Sequence, residues 1–133
     1  MEELVTAAQT HAVGTQIGFD LTVHDAEAIR DFYSAVIGWT SEPFGMEGYD
    51  DYFMKSPATG NIVAGICHAR GGNADLPPQW LAYMVVDNLQ ASLDRCVELG
   101  GTVLTEIKGG EGEARYCVIR DPAGAVLALM HMA

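Results

Sequence analysis

Basic residues are scarce: seven Lys and Arg stand against 18 Asp and Glu, a formal net charge of −11. Binding nucleic acid needs clustered cations to meet the phosphates, so nucleic acid is excluded as a partner. An anionic membrane surface is excluded for the same reason, and the acidity leaves room for a neutral or cationic small ligand. No apolar run approaches the roughly 20 residues that cross a bilayer. The first residues, Met1 to His11, lack the basic start of a signal peptide, so a cytoplasmic location is expected. Cysteine is sparse as well. Cys67, Cys96 and Cys117 make an odd count without CxxC spacing, which argues against a disulfide framework or a cysteine zinc site. Their apolar neighbours mark them as buried free thiols. A Gly-rich phosphate loop, GxSxG and HExxH are all missing.

What is present is one domain, residues 1–133, with 49% hydrophobic and 19% charged residues, enough to bury a core without staples. Residues 1 to about 14 show no period and read as a loose arm. From Ile17 apolar residues alternate: Ile17, Phe19, Leu21 and Val23 on one side of a strand, Gly18, Asp20 and Thr22 on the other. Asp25 is a good N-cap, Ile29, Phe32, Tyr33, Val36 and Ile37 form the apolar stripe of a helix, and Gly38 stops it. Strands are predicted over 39–44, 52–56 and 62–67, and Arg70 to Pro78 is turn chemistry.

The layout then recurs. Leu81 to Val86 predicts a strand, Asp87 or Asn88 caps a helix carrying Leu89, Leu93, Cys96 and Val97, and Gly100-Gly101 ends it. Strands follow over 102–107, 114–119 and 126–132. Val23 maps to Val86, Ala28 to Ala91 and Gly38 to Gly101, each by adding 63, while Tyr52 plus 64 gives Tyr116 and Pro57 plus 65 gives Pro122. This is a tandem duplication with small indels: module one over about 15–69, a linker over about 70–78 and module two over about 79–133. Two repeats are too few for a solenoid and suit a closed pseudo-twofold arrangement.

Val23-His24-Asp25, Phe32-Tyr33 and Ile37-Gly38-Trp39, with Gln79 to Asp87, Glu98 to Val103 and Arg120 to Gly124 in the second half, resemble the vicinal oxygen chelate superfamily. That group includes glyoxalase I, bleomycin resistance proteins and extradiol dioxygenases. The similarity spans about residues 16 to 132. It implies an α+β fold in which two tandem βαβββ modules form a curled mixed β-sheet around a cavity, with helices outside. It also implies where a glyoxalase would hold its metal. Those positions are Gly18 and Leu81 on the first strands, Ala128 on the last, and Ala64 or Gly65 in module one. None has a donor side chain, so no metal and no cofactor are expected, and lactoylglutathione lyase activity is not. The Trp80-Leu81-Ala82-Tyr83 segment looks more like the metal-free, glyoxalase-like subset.

Five residues are candidates for ligand binding. Asp20 and Tyr83 occupy equivalent first-strand positions on the side away from the helix; Asp20 is a polar anchor or a general base, or a partner for a neighbouring strand or Arg115. Tyr52 and Tyr116 form the next matched pair, aromatic walls or core. Trp80 follows Pro77-Pro78 and caps a cavity mouth or packs at an edge. His11, His24, His68 and His131 read as structural or solvated. Gly109 to Gly112 is a flexible loop able to act as a lid. The expected function is small-molecule binding of the glyoxalase/bleomycin resistance type, without metal, by a homodimer. The alternative is a metal-independent enzyme (lyase, isomerase or hydroxylase type) acting on a small carbonyl or aromatic substrate. A purely structural or interaction module is a third class.

Overall fold

In the computed structural model, which describes residues 12–109 and 114–132, each module runs strand, helix, strand, strand, strand. Module one contains β1 (Gln16–Val23), α1 (Ala26–Ile37), β2 (Thr40–Gly45), β3 (Asp50–Lys55) and β4 (Ile62–His68). Module two contains β5 (Trp80–Val85), α2 (Leu89–Glu98), β6 (Thr102–Val103), β7 (Ala114–Arg120) and β8 (Val126–Met132). The chain divides into two compact units, residues 18–80 and, among the described residues, 12–17 with 81–132. Among the described residues no helix is long and apolar enough to cross a membrane.

The helices start where a polar side chain takes over a backbone bond. Asp25 Oδ1 accepts from Ala28 N at 3.1 Å, and Asn88 Oδ1 accepts from Ala91 N at 3.0 Å, at the same place in both copies. Module two adds a second acceptor: His131 Nδ1 takes the Leu89 N–H at 2.7 Å. Gly38 ends α1 with φ of 92°, a conformation that costs glycine little. In module two the positive φ falls on Gly100, at 95°, rather than on Gly101. Gly101 is needed for another reason: a Cβ there would stand 2.5 Å from Cys96 Sγ.

The sheet of residues 18–80 has strand order β2-β3-β4-β1, with β1 and β4 parallel and the other pairs antiparallel. That of module two has the matching order β5-β8-β7-β6, with β5 and β8 parallel. Asp20 lies opposite Gly65, and Tyr83 lies opposite Ala128, so the parallel register repeats at 63. Each helix packs on one face of its own strands. Ala26, Tyr52, Met54, Ala64 and Ile66 form one core cluster, with Val23, Ile29, Tyr33, Trp39 and Trp80 against it. Leu89, Leu93, Cys117, Ile119 and Leu129 form the other. The α1 stripe is only half covered: Ile29 and Tyr33 pack inward, while Phe32, Val36 and Ile37 are exposed.

Three expectations need correction. Tyr52 and Tyr116 are not counterparts. Tyr52 lies opposite Ile66, whereas Leu129, the counterpart of Ile66, faces Cys117. The offset on this strand is 65, so Asp51, not Tyr52, corresponds to Tyr116. With a side-chain period of two, that single residue decides which face a side chain takes. The strand predicted over 102–107 stops at Val103. At Thr105 the side chain replaces the ladder: its Oγ1 accepts from Val118 N at 3.1 Å and donates to the Glu106 carbonyl at 3.0 Å. The arm is anchored at its end, where Gly14 N donates to Val85 O at 2.8 Å and Val85 N to Thr15 O at 2.9 Å. Residues 1–11 of the arm and the lid loop beyond Gly109 lie outside the described residues.

Replacing Asp25 or Asn88 by Ala should cost about 1 kcal/mol each, the usual worth of an N-cap. Because the two caps share no partners, the double variant should lose the sum in urea denaturation.

Candidate functional site

The side chains that do not pack on the helices define a second face on each sheet. In module one it carries Gly18, Asp20 and Thr22 from β1, Asp51 and Phe53 from β3, and Gly65 and Cys67 from β4. In module two the counterparts are Leu81, Tyr83, Val85, Tyr116, Val118, Ala128 and Met130. The two faces share a register and differ in chemistry. Module two is aromatic and aliphatic where module one has Asp20, Thr22, Asp51 and Cys67. These include all three buried polar or charged residues among those described, with Asp20 at 5%, Thr22 at 3% and Asp51 at 6% exposure.

Asp20, Cys67 and Asp51 are each held by a hydrogen bond. Cys67 Sγ donates to Asp20 Oδ1 at 3.3 Å. Burial pushes the Cys67 thiol well above its ordinary pKa, and the charges of Asp20 and Asp51 and the bond to Asp20 push it further. It is a thiol, not a thiolate, at neutral pH. Asp51 Oδ1 accepts from His68 N at 2.8 Å and lies 3.4 Å from His68 Nδ1. The His68 ring meets Tyr49 edge-on, with centroids 5.3 Å apart, and the Arg70 guanidinium sits 4.0 Å over the Tyr49 ring.

The five candidate residues fall in four places. Asp20 lies on the polar face of module one. Tyr83 and Tyr116 come together on the second face of module two, rings 5.8 Å apart. Tyr52 is buried in the helix-side cluster with the Arg30 guanidinium 4.6 Å over its ring. Its phenol is raised in pKa, by burial first and then by Glu27, with Arg30 opposing, so it stays neutral. Trp80 also lies on the helix side, where its Nε1 donates to Tyr33 Oη at 3.1 Å. With Leu21, Val23, Ile29, Phe32 and Tyr33 it lines an apolar pocket of about 270 Å³. Asp51 and His68 were not picked out from the sequence. Asp50-Asp51 reads as a solvated acidic pair, and the signal that separates them is the strand register.

The positions where a glyoxalase holds its metal do not fit one here. Gly18, Gly65 and Ala64 offer no donor, and Leu81 and Ala128 are buried hydrocarbon. Among the described residues, no group of three or more His, Cys, Asp and Glu could hold a metal ion.

A family model described as a glyoxalase-like domain matches residues 16–130. CFP32 of Mycobacterium bovis, provisionally named a glyoxylase, is 30% identical over 117 residues, covering 87% of this chain and 45% of that protein. The anthracycline biosynthesis protein DnrV of Streptomyces peucetius is 30% identical over 130 residues, covering 89% of this chain and 47% of that one. The chain thus spans about half the length of the curated relatives it matches. A member of the glyoxalase/bleomycin resistance protein/dioxygenase superfamily from Vibrio splendidus 12B01 has the same fold. Its TM-score is 0.58 at 12% identity, over 88% of this chain and 99% of that one.

In the folded protein a thiol reagent at pH 8 should leave Cys67 unmodified until urea is added, as peptide mass spectrometry would read. Asp20→Asn removes a charge and an acceptor that both raise the thiol's pKa, so its labelling in the folded state should rise.

Proposed function

Because the chain belongs to the glyoxalase-like domain family, we propose that it binds a small organic molecule, without a metal ion, through the polar face of module one and its Asp20. One observation carries the reading: the buried polar residues are concentrated on one sheet face, where the duplicate copy has only aromatic and aliphatic groups. Burying a carboxylate is costly unless it is bonded, and an apolar residue would serve the fold better, as module two does. A ligand that donates hydrogen bonds gives such groups a use. The net charge of −11 favours a neutral or cationic one. The missing donors at the family's metal positions support a metal-free site. Three free cysteines suit the reducing cytoplasm.

The reading includes a homodimer. The exposed Phe32, Val36 and Ile37 on α1 are the surface a second copy would cover. Catalysis is the second reading, favoured by the imidazole of His68 held against the buried carboxylate of Asp51.

Calorimetry with hits from a small-molecule screen tests the binding site. Asp20→Asn should weaken binding by tenfold or more, since a hydrogen bond to a charged group is worth about 1.5–3 kcal/mol. Thr22→Val, on the same strand face, should weaken it less, and unchanged affinity in both variants sinks the assignment. Light scattering should give twice the chain mass, falling to one chain mass in Val36→Glu; a single chain mass for the unaltered protein removes the dimer.

A further inference from the structure

We propose that the apolar pocket between α1 and the helix side of β1 binds the quaternary ammonium group of a free small molecule. The site is separate from the polar face, because it is lined by Leu21 and Val23, which the β1 pleat turns away from Asp20. All of its lining residues belong to the unit of residues 18–80. The pocket holds about 270 Å³. An apolar cavity of about 150 Å³ already admits benzene, so a branched ammonium head has room.

Three aromatic rings turn around this space. Phe32 and Tyr33 stand at 86° with centroids 5.1 Å apart, and Tyr33 and Trp80 at 71° with centroids 5.3 Å apart. Walls that meet near right angles do not all stack on one flat ligand; they suit a compact, rounded group. The walls are also fixed in advance. Trp80 Nε1 donates to Tyr33 Oη at 3.1 Å, and the Trp39 ring packs on both, its centroid 6.0 Å from each.

The lining selects the kind of cation. Only Gln79, Tyr33 and Trp80 carry polar side-chain atoms there, the last two bond to each other, and no carboxylate lines the pocket. A primary ammonium brings three N–H donors that need acceptors, whereas a quaternary ammonium brings none and leaves water at less cost. The negative faces of the rings attract it. In module one this attraction is otherwise taken up internally, by Arg30 over Tyr52 and Arg70 over Tyr49. Among the described residues no Lys or Arg lies over Phe32, Tyr33 or Trp80. The net charge of −11 draws cations to the molecule.

Three probes test this: choline, ethanolamine, and the neutral carbon analogue of choline in which a tert-butyl group replaces trimethylammonium. Trp39 and Trp80 are the two tryptophans of the chain and both pack on Tyr33, so their fluorescence reports the pocket. Choline should change it saturably and bind about tenfold tighter or more than either other probe. Its methyl resonances should move upfield in proton NMR, as protons over ring faces do. Phe32 is 53% exposed, so exchanging it should leave the circular dichroism spectrum unchanged. Phe32→Leu should weaken choline about threefold or more, and Phe32→Tyr should keep it. Binding should persist in Val36→Glu, because one chain supplies every wall. Choline bound no tighter than its neutral analogue makes the pocket a plain apolar one and overturns the proposal. Ethanolamine bound as tightly as choline, affinity undiminished in Phe32→Leu, or binding lost in Val36→Glu overturns it too. So does capture by phosphatidylcholine vesicles without binding of choline, which would assign the pocket to a lipid surface.

Discussion

The constraint on which this molecule depends is the parallel register between the first and fourth strands of each module. It places Asp20 against Gly65 and Tyr83 against Ala128, and the pleat then assigns every neighbour to one of two faces. Leu21 and Val23 go with the helix; Asp20 and Thr22 go away from it. A slip of one residue would carry both Asp20 and Thr22 into the apolar cluster under α1. The burial of hydrocarbon beneath the helices therefore fixes the register, and the register delivers the polar face.

Duplication separates what the scaffold needs from what chemistry adds. Both copies keep the strand order, the N-cap position and an apolar cluster under the helix. They part on the second face, and module two supplies the reference for a face built only of aromatic and aliphatic groups. The histidines at the ends of β4 and β8 divide in the same way. One fills a helix terminus, and the other faces a carboxylate.

Most of the architecture was legible in the sequence because it rests on local signals. Asp25 and Asn88 cap, Gly38 stops, and alternation around Asp20 marks the strand. The misreadings came where local signals are silent about pairing. Matching Tyr52 to Tyr116 by identity of residue type gave an offset of 64, but the ladder set it at 65. That hid Asp51, whose acidic neighbour suggests solvent. Trp80 was left between a cavity cap and edge packing, and its indole bond to Tyr33 on the helix side is a contact that no short-range pattern announces. Thr105 looked like one more strand residue, and only the pairing partner shows its hydroxyl standing in for a backbone group.

That last substitution has a consequence for solubility. β6 lies at the end of the β5-β8-β7-β6 order, where a long straight strand would offer unpaired amides to another chain. Leu104 N still donates to Val118 O and Lys108 pairs with Tyr116, so the interruption at Thr105 divides the edge into short pieces that template strand addition poorly. The hydroxyl that interrupts the ladder is thus also a guard against aggregation, and a Thr105 variant that straightened the edge would remove it.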